Sequence, residues 1–263
     1  MTASMMILNM NTLRCYVLLL LAFFTTSVVA NEVRVFASGA AKHAVEALAP
    51  AFYKATGHTL HASYDTVGAL TSRVLLAPPG EATDVVILSD AALASLGAAG
   101  RLSAVPAHRI GRVVVAIAVK QGTPVPDVST SDALRQALLT APSVAYGDPA
   151  RGATAGTHFA KVITTLGLGD LLKGKITVLP FGVDVIAGVA EGRYALGISQ
   201  SSEIRQYRGI SYAGPLPAPY GLSTAYGAAL TSESAAARQF LTFLNSDEAL
   251  REFEGSGFVQ AKD

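Results

Sequence analysis

The chain has 263 residues, 51% of them hydrophobic and 15% charged, with a formal net charge of +1 and one cysteine. Near-neutral charge without a dense Lys/Arg run argues against a nucleic-acid partner, and the length suits one large domain or two lobes. Part of the apolar excess sits at the start: Arg14, an apolar run from Val17 to Phe24, then small residues ending in Val28 and Ala30. This is the pattern of a cleaved secretory signal peptide over residues 1–30, with export to the periplasm expected. The run is shorter than the ~20 residues that span a bilayer. Cys15 lies inside this leader, ahead of the apolar run, so the exported chain is expected to carry no thiol and no disulfide.

Taken in order, Val33 to Phe36 read as a buried strand, Ser38-Gly39-Ala40 as a small-residue turn, and Val45, Leu48 and Phe52 as the apolar stripe of a helix. A strand, a small turn and a helix place free backbone N–H groups at a positive dipole end, which suits an anion. A second strand ends at Tyr64, the polar turn Asp65 to Gly68 follows, and a helix carries Leu70, Val74 and Leu75. Asp84 to Asp90 form a third strand, and Ala91 to Ala99 a helix stopped by Gly100. This alternation predicts a parallel sheet covered by helices, with ligands beyond the carboxyl ends of its strands.

Arg112 to Lys120 form a long apolar strand, and Gly122 to Pro126 mark a change of region. The plan then repeats. Val144 to Tyr146 read as a strand, Gly147 to Gly156 as a loop, Thr157 to Leu166 as a helix and Lys175 to Leu179 as a strand. Val183 to Glu191 read as a helix and Tyr194 to Ser199 as a strand leading into Gln200 to Glu203. Pro215 to Tyr220 form a proline-rich connection, Ser223 to Leu230 a strand, and Ala235 to Asn245 and Glu248 to Glu254 the closing helices.

Several segments together carry a family resemblance: Val35-Phe-Ala37 with the helix to Gly57, Gly68-Ala-Leu70, Thr83 to Ile87, Gly147-Asp-Pro149, Ala155-Gly156, Gly197-Ile198 and Gly257-Phe258. In their order and spacing the chain resembles the periplasmic molybdate-binding proteins, substrate-binding subunits of ABC importers. The resemblance implies an α/β, two-lobed type 2 periplasmic binding protein fold with the ligand cleft between lobes. It places lobe one at residues 31–111 and 212–263 and lobe two at 112–211. It also implies a monomer without a cofactor, whose partners are a small anion and the importer's membrane subunits.

The family holds its oxyanion with neutral donors, and here this chain departs. The two expected serines fall on Ala40 and Val67, and the expected tyrosine on Gln200; Ser38, Thr66 and Ser199 lie beside those positions. Ser38, Gly39, Ala40, Thr66, Val67, Thr154, Ser199 and Gln200 are therefore the turn-placed ligand candidates. Cations also enter: Lys42 and His43 in the first helix, Arg73 in the second, Arg151 in the lobe-two loop and His158 after it. Arg forks match carboxylates, so a polycarboxylate is expected rather than molybdate. The chain also resembles what an aconitate isomerase on this fold would require: His43 or His158 as the base, Glu203 in reserve, and Lys42, Arg73 or Arg151 on carboxylates. No His/Asp/Glu spacing suggests a metal, and no nucleophile elbow or phosphate loop occurs.

Overall fold

The computed structural model describes residues 31–79 and 81–259; the expected leader, with Cys15, lies outside them. Among the described residues no helix is long and apolar enough to cross a membrane. The chain folds as repeated strand–helix units: β1 (Glu32–Ser38), a 3-10 turn (Gly39–Ala41), α1 (Lys42–Thr56), β2 (Thr59–Asp65), α2 (Val67–Leu76), β3 (Val85–Ser89) and α3 (Asp90–Ala98). The long β4 (His108–Lys120) follows, then α4 (Ser131–Thr140), β5 (Val144–Gly147), a 3-10 turn (Pro149–Arg151), α5 (Thr154–Thr165), β6 (Ile176–Leu179) and α6 (Gly182–Ala190). The chain closes with β7 (Leu196–Gln200), α7 (Ser201–Arg205), β8 (Ile210–Pro215), β9 (Ser223–Leu230), α8 (Ala235–Phe243) and α9 (Asp247–Gly255).

The strands run in the order β2-β1-β3-β9-β4-β7-β5-β6, with β8 added beside β4. β4 joins the two lobes: His108 to Val114 pair antiparallel with β9, and Val115 to Ala118 pair antiparallel with β7. On either side of it the inner strands are parallel, β1 with β2 and β3, and β5 with β6 and β7. Each half is therefore covered on both faces, which is why its strands read as near-continuous apolar runs. In lobe one, Val35, Val45, Phe52 and Phe240 fill one face and Phe36, Leu70, Val86 and Leu96 the other. In lobe two, Ile117, Leu134, Phe159 and Ile198 form one layer, and Ala116, Ala145, Val185 and Ile186 the opposite one. The Phe52 ring meets Phe240 and Phe243 at centroid distances of 5.1 and 5.5 Å, pairs worth about 0.5–1.5 kcal/mol each beyond their burial.

Two tight fits set how the elements meet. Gly57, at φ 75°, ends α1 in the left-handed conformation and donates its N–H to the Tyr53 carbonyl at 2.7 Å. Gly156 seats the first turn of α5 directly on the end of β5, where a Cβ would overlap the Gly147 carbonyl. Sequence reading and structure differ in several places. A 3-10 turn intervenes before the first helix, β4 begins at His108 rather than Arg112, α5 begins at Thr154 rather than Thr157, and neither α7 nor β8 was foreseen. β8 is a partly exposed edge strand ending at Pro215, so it carries neither the apolar run of an inner strand nor strict alternation.

Candidate functional site

The carboxyl ends of β1, β2, β5 and β7 converge on one cleft of about 220 Å³. From lobe one it is lined by the turn after β1, by Tyr64 to Val67 and by Tyr226 of β9. Lobe two contributes Gly147, residues 153–156, Phe181 to Val183, Ile198 to Gln200 and Glu203. Of the residues singled out in the sequence, Ser38, Gly39, Ala40, Lys42, Thr66, Val67, Thr154, Ser199, Gln200 and Glu203 line this cleft.

Of the other candidates, His43, His158 and Arg73 place their polar atoms elsewhere, while Arg151 sits at the cleft edge against the lining residues Asp65 and Phe181. The His43 Nδ1 lies 3.3 Å from Ser256 Oγ, which turns the ring toward α9. The His158 Nε2 meets the Tyr220 carbonyl at 2.7 Å. The Arg73 guanidinium stacks 4.1 Å over the Phe36 ring. Arg151 stacks 4.9 Å over Phe181 and donates from Nη2 to Asp65 Oδ1 at 2.9 Å. Lys42 is thus the one cation among the lining residues, 5.5 Å over the Tyr64 ring and 3.9 Å from Glu46.

Arg151 belongs to a contact between the lobes. Thr66 Oγ1 donates to the Arg151 carbonyl, and the Gly68 N–H donates to the Gly152 carbonyl at 3.2 Å. The backbones are so close that a Cβ on Gly68 would stand 2.7 Å from Gly152 Cα. Asp65 Oδ1 also accepts from the Thr66 N–H at 2.7 Å, so one carboxylate orders its own turn and meets the opposite lobe.

The lobe-two wall offers backbone donors at helix starts without side-chain caps. Thr130, Ser234 and Ser246 cap their helices with side-chain oxygens, whereas Ala153 and Phe181, ahead of α5 and α6, bring no side-chain cap. Helix geometry leaves the first N–H groups of each helix without an internal acceptor, and here those turns line the cleft. Side-chain donors add to them. Ser38 Oγ and Gln200 Nε2 are buried without a partner at full hydrogen-bond geometry.

Glu203 is the titratable group at the centre. Its Oε2 accepts from Ser199 Oγ and from the Gln200 N–H at 3.3 Å. A Cβ on Gly39 would come within 2.6 Å of its Oε1, and one on Gly182 would overlap its Oε2, so the carboxyl lies between the two lobes. Burial pushes this carboxyl above the ordinary carboxylate range, against the opposing pull of the Ser199 and Gln200 donors. Facing it, the Tyr226 phenol is driven well above its usual range by burial and by the Glu203 charge, against looser contacts from Thr154, Ser38 and Gln200. Sequence reading missed Tyr226, because in Ser223–Leu230 it reads as one more core residue of a strand. Tyr64, Asp65 and Gly182 were also unassigned, although each follows from its place at a strand end or helix start. Among the described residues no group of three or more His, Cys, Asp and Glu side chains is placed to hold a metal ion.

Comparison with known proteins agrees with this architecture. Residues 33–259 match the family described as bacterial extracellular solute-binding protein. Over 232 residues the chain is 34% identical to an aconitate isomerase from Pseudomonas sp., spanning 85% of this chain and 86% of that protein. The periplasmic molybdate-binding protein of Azotobacter vinelandii superposes with a TM-score of 0.69 at 21% identity, over 88% of this chain and 100% of the other. The sulfate-binding protein SubI from Mycobacterium tuberculosis H37Rv gives 0.65 at 19% identity, over 88% of each chain. At those identities the two structures speak for the fold alone, a two-lobed α/β binding protein. The chain belongs to the bacterial extracellular solute-binding protein family.

Proposed function

We propose that this protein is an exported isomerase that moves the double bond of a small unsaturated polycarboxylate, interconverting trans- and cis-aconitate. One observation supports this above the others: the Glu203 carboxyl, buried against the cleft between Gly39 and Gly182. A carboxylate held against a polyanion weakens binding, so a site that only retained such a solute would gain nothing from it. A proton shift needs that group. A carboxyl whose pKa is raised by burial is a stronger base than an exposed one. The 34% identical aconitate isomerase supports the choice of substrate class.

In this reading the substrate carboxylates lie against the Lys42 ammonium, Ser38, Gln200 and the uncapped first turns of α5 and α6. Glu203 Oε takes a proton from the methylene carbon, the C–H electron pair enters the conjugated system, and the proton returns to the far carbon of the allyl unit. Nothing is gained or lost overall, and no oxidant or cofactor enters the balance. At about 220 Å³ the cleft lies below the roughly 300–1,000 Å³ typical of drug-sized ligands, which suits a compact organic acid.

The test is incubation of purified mature protein with trans-aconitate, followed by proton NMR. Conversion to a mixture of both isomers at substoichiometric protein is expected. Binding of molybdate or of a tricarboxylate with no conversion would overturn the isomerase reading. The uncapped helix ends favour a second reading in that event, a tricarboxylate carrier with importer membrane subunits as partners.

A further inference from the structure

Tyr226 is anchored as few cleft residues are. Its ring meets Phe258 edge-to-face at 5.8 Å and 87°, and Phe258 in turn packs on Phe253 at 5.3 Å. Its backbone lies in register with Ser89 of β3 and Gly111 of β4. The ring body thus belongs to the lobe-one core, and the residue is 2% exposed, yet it also lines the cleft. Beside it stand two further buried groups, Ser38 at 2% and Gln200 at 4% exposure; Ser38 Oγ and both amide atoms of Gln200 lack a partner at full hydrogen-bond geometry and make only looser contacts with the Tyr226 hydroxyl. Buried polar groups are seldom left so, because each unmade hydrogen bond costs about 1–3 kcal/mol. Three neutral donors meeting at one corner of an anion cleft are complementary to a single carboxylate.

We propose that Tyr226 is a catalytic hydrogen-bond donor which, with Ser38 Oγ and Gln200 Nε2, holds the substrate carboxylate that gains negative charge as Glu203 removes the proton. This rests on the isomerase reading and adds to it the group that stabilises the intermediate. When the C–H bond breaks, its electron pair spreads onto the adjacent carboxylate, and the proton resides on Glu203 until it is returned. Tyr226 keeps its own proton throughout: burial disfavours the phenolate in every state, and the Glu203 charge adds to this while that carboxylate is ionised. A hydroxyl that stays protonated is a donor, not a base. Neutral donors also suit this corner better than a cation: their hydrogen bonds strengthen as charge grows, so they favour the transition state over bound substrate.

Steady-state kinetics with trans-aconitate on wild type and Tyr226→Phe test this, with thermal midpoints and tricarboxylate affinities measured in parallel. Removing one such donor is expected to lower kcat by about 10²–10³-fold, with a much smaller change in KM and affinity and no loss of thermal midpoint that would account for it. If Y226F does not fold, Ser38→Ala removes the neighbouring donor and is expected to act on kcat in the same sense. Equal kcat in variant and wild type, or a loss confined to KM and affinity, would overturn the proposal while leaving the isomerase reading intact. A wild type without turnover would overturn both.

Discussion

Gly68→Ala separates closure of the cleft from stability of the fold. Gly68 lies in the first turn of α2, where alanine is intrinsically better for the helix by up to about 1 kcal/mol. Its new Cβ would stand 2.7 Å from Gly152 Cα and 3.1 Å from the Arg151 carbonyl. Carbon atoms rest at about 3.5–4.0 Å, so the two lobes must part here by roughly 1 Å. That stretches the 3.2 Å bond from the Gly68 N–H to the Gly152 carbonyl past the ~3.6 Å at which such a bond no longer counts, and it loosens Thr66 from Arg151. Backbone atoms cannot give way as side chains do. An overlap of this kind costs about 1–3 kcal/mol; taking 2, retention of an enclosed ligand should weaken by roughly 30-fold. Isothermal titration of the variant with a tricarboxylate measures this, with a thermal melt of the free protein beside it. The expected outcome is weaker binding with an unchanged or higher melting temperature. Wild-type affinity in G68A would refute the reasoning that this contact must form for the cleft to enclose its ligand.

Three further outcomes follow from contacts elsewhere. Burial alone would push the Asp84 carboxyl up, but donors from the Arg34 backbone and guanidinium and from Ser232 outweigh it and hold it below the usual range. A depressed folded value means that the stabilisation is present above the unfolded pKa near 3.9 and is lost as pH falls through the folded one. Asp84→Asn should therefore cost about 2–3 kcal/mol at pH 7 and much less at pH 3, read from urea midpoints. Glu203 has the opposite sign: its contribution is present below the unfolded value near 4.3 and is lost as pH rises through the raised folded value. Glu203→Gln should accordingly melt higher than wild type at pH 8, with the gap closing toward pH 4. Gly156→Ala would drive a Cβ into the Gly147 carbonyl, a backbone atom, and should cost more than about 4 kcal/mol or prevent folding, as chemical denaturation will show.

Much of this was legible in the sequence, and the physics says which part. Alternating strand and helix periods fixed the unit plan, and the site then follows from a rule of topology: ligands lie beyond the carboxyl ends of parallel strands. Ser38 and Thr66 were singled out that way, by position rather than by side-chain type, and Val67 and Gln200 by the family resemblance; all four line the cleft. Charge was a poorer guide, because what a cation pairs with is decided by tertiary neighbours that spacing does not reveal. Arg73 rests on Phe36, His158 on the Tyr220 carbonyl, His43 against Ser256, and Arg151 reaches across to Asp65. Tyr226 was invisible for the converse reason. Its ring serves the core as any strand aromatic would, and only the folded register brings its polar end beside Ser38 and Gln200. Glu203 carries no sequence signal beyond its place three residues after a strand end. Its environment is made by two glycines, Gly39 and Gly182, one from each lobe.

The most direct test of the account is turnover by Glu203→Gln. The amide keeps the shape of the side chain but cannot accept and return a proton. The account expects trans-aconitate to bind E203Q at least as tightly as wild type, because a repelling carboxylate is gone, while kcat falls by about 10²–10⁴-fold. Wild-type turnover in a folded E203Q would contradict it, and the proton shift would then belong to another group.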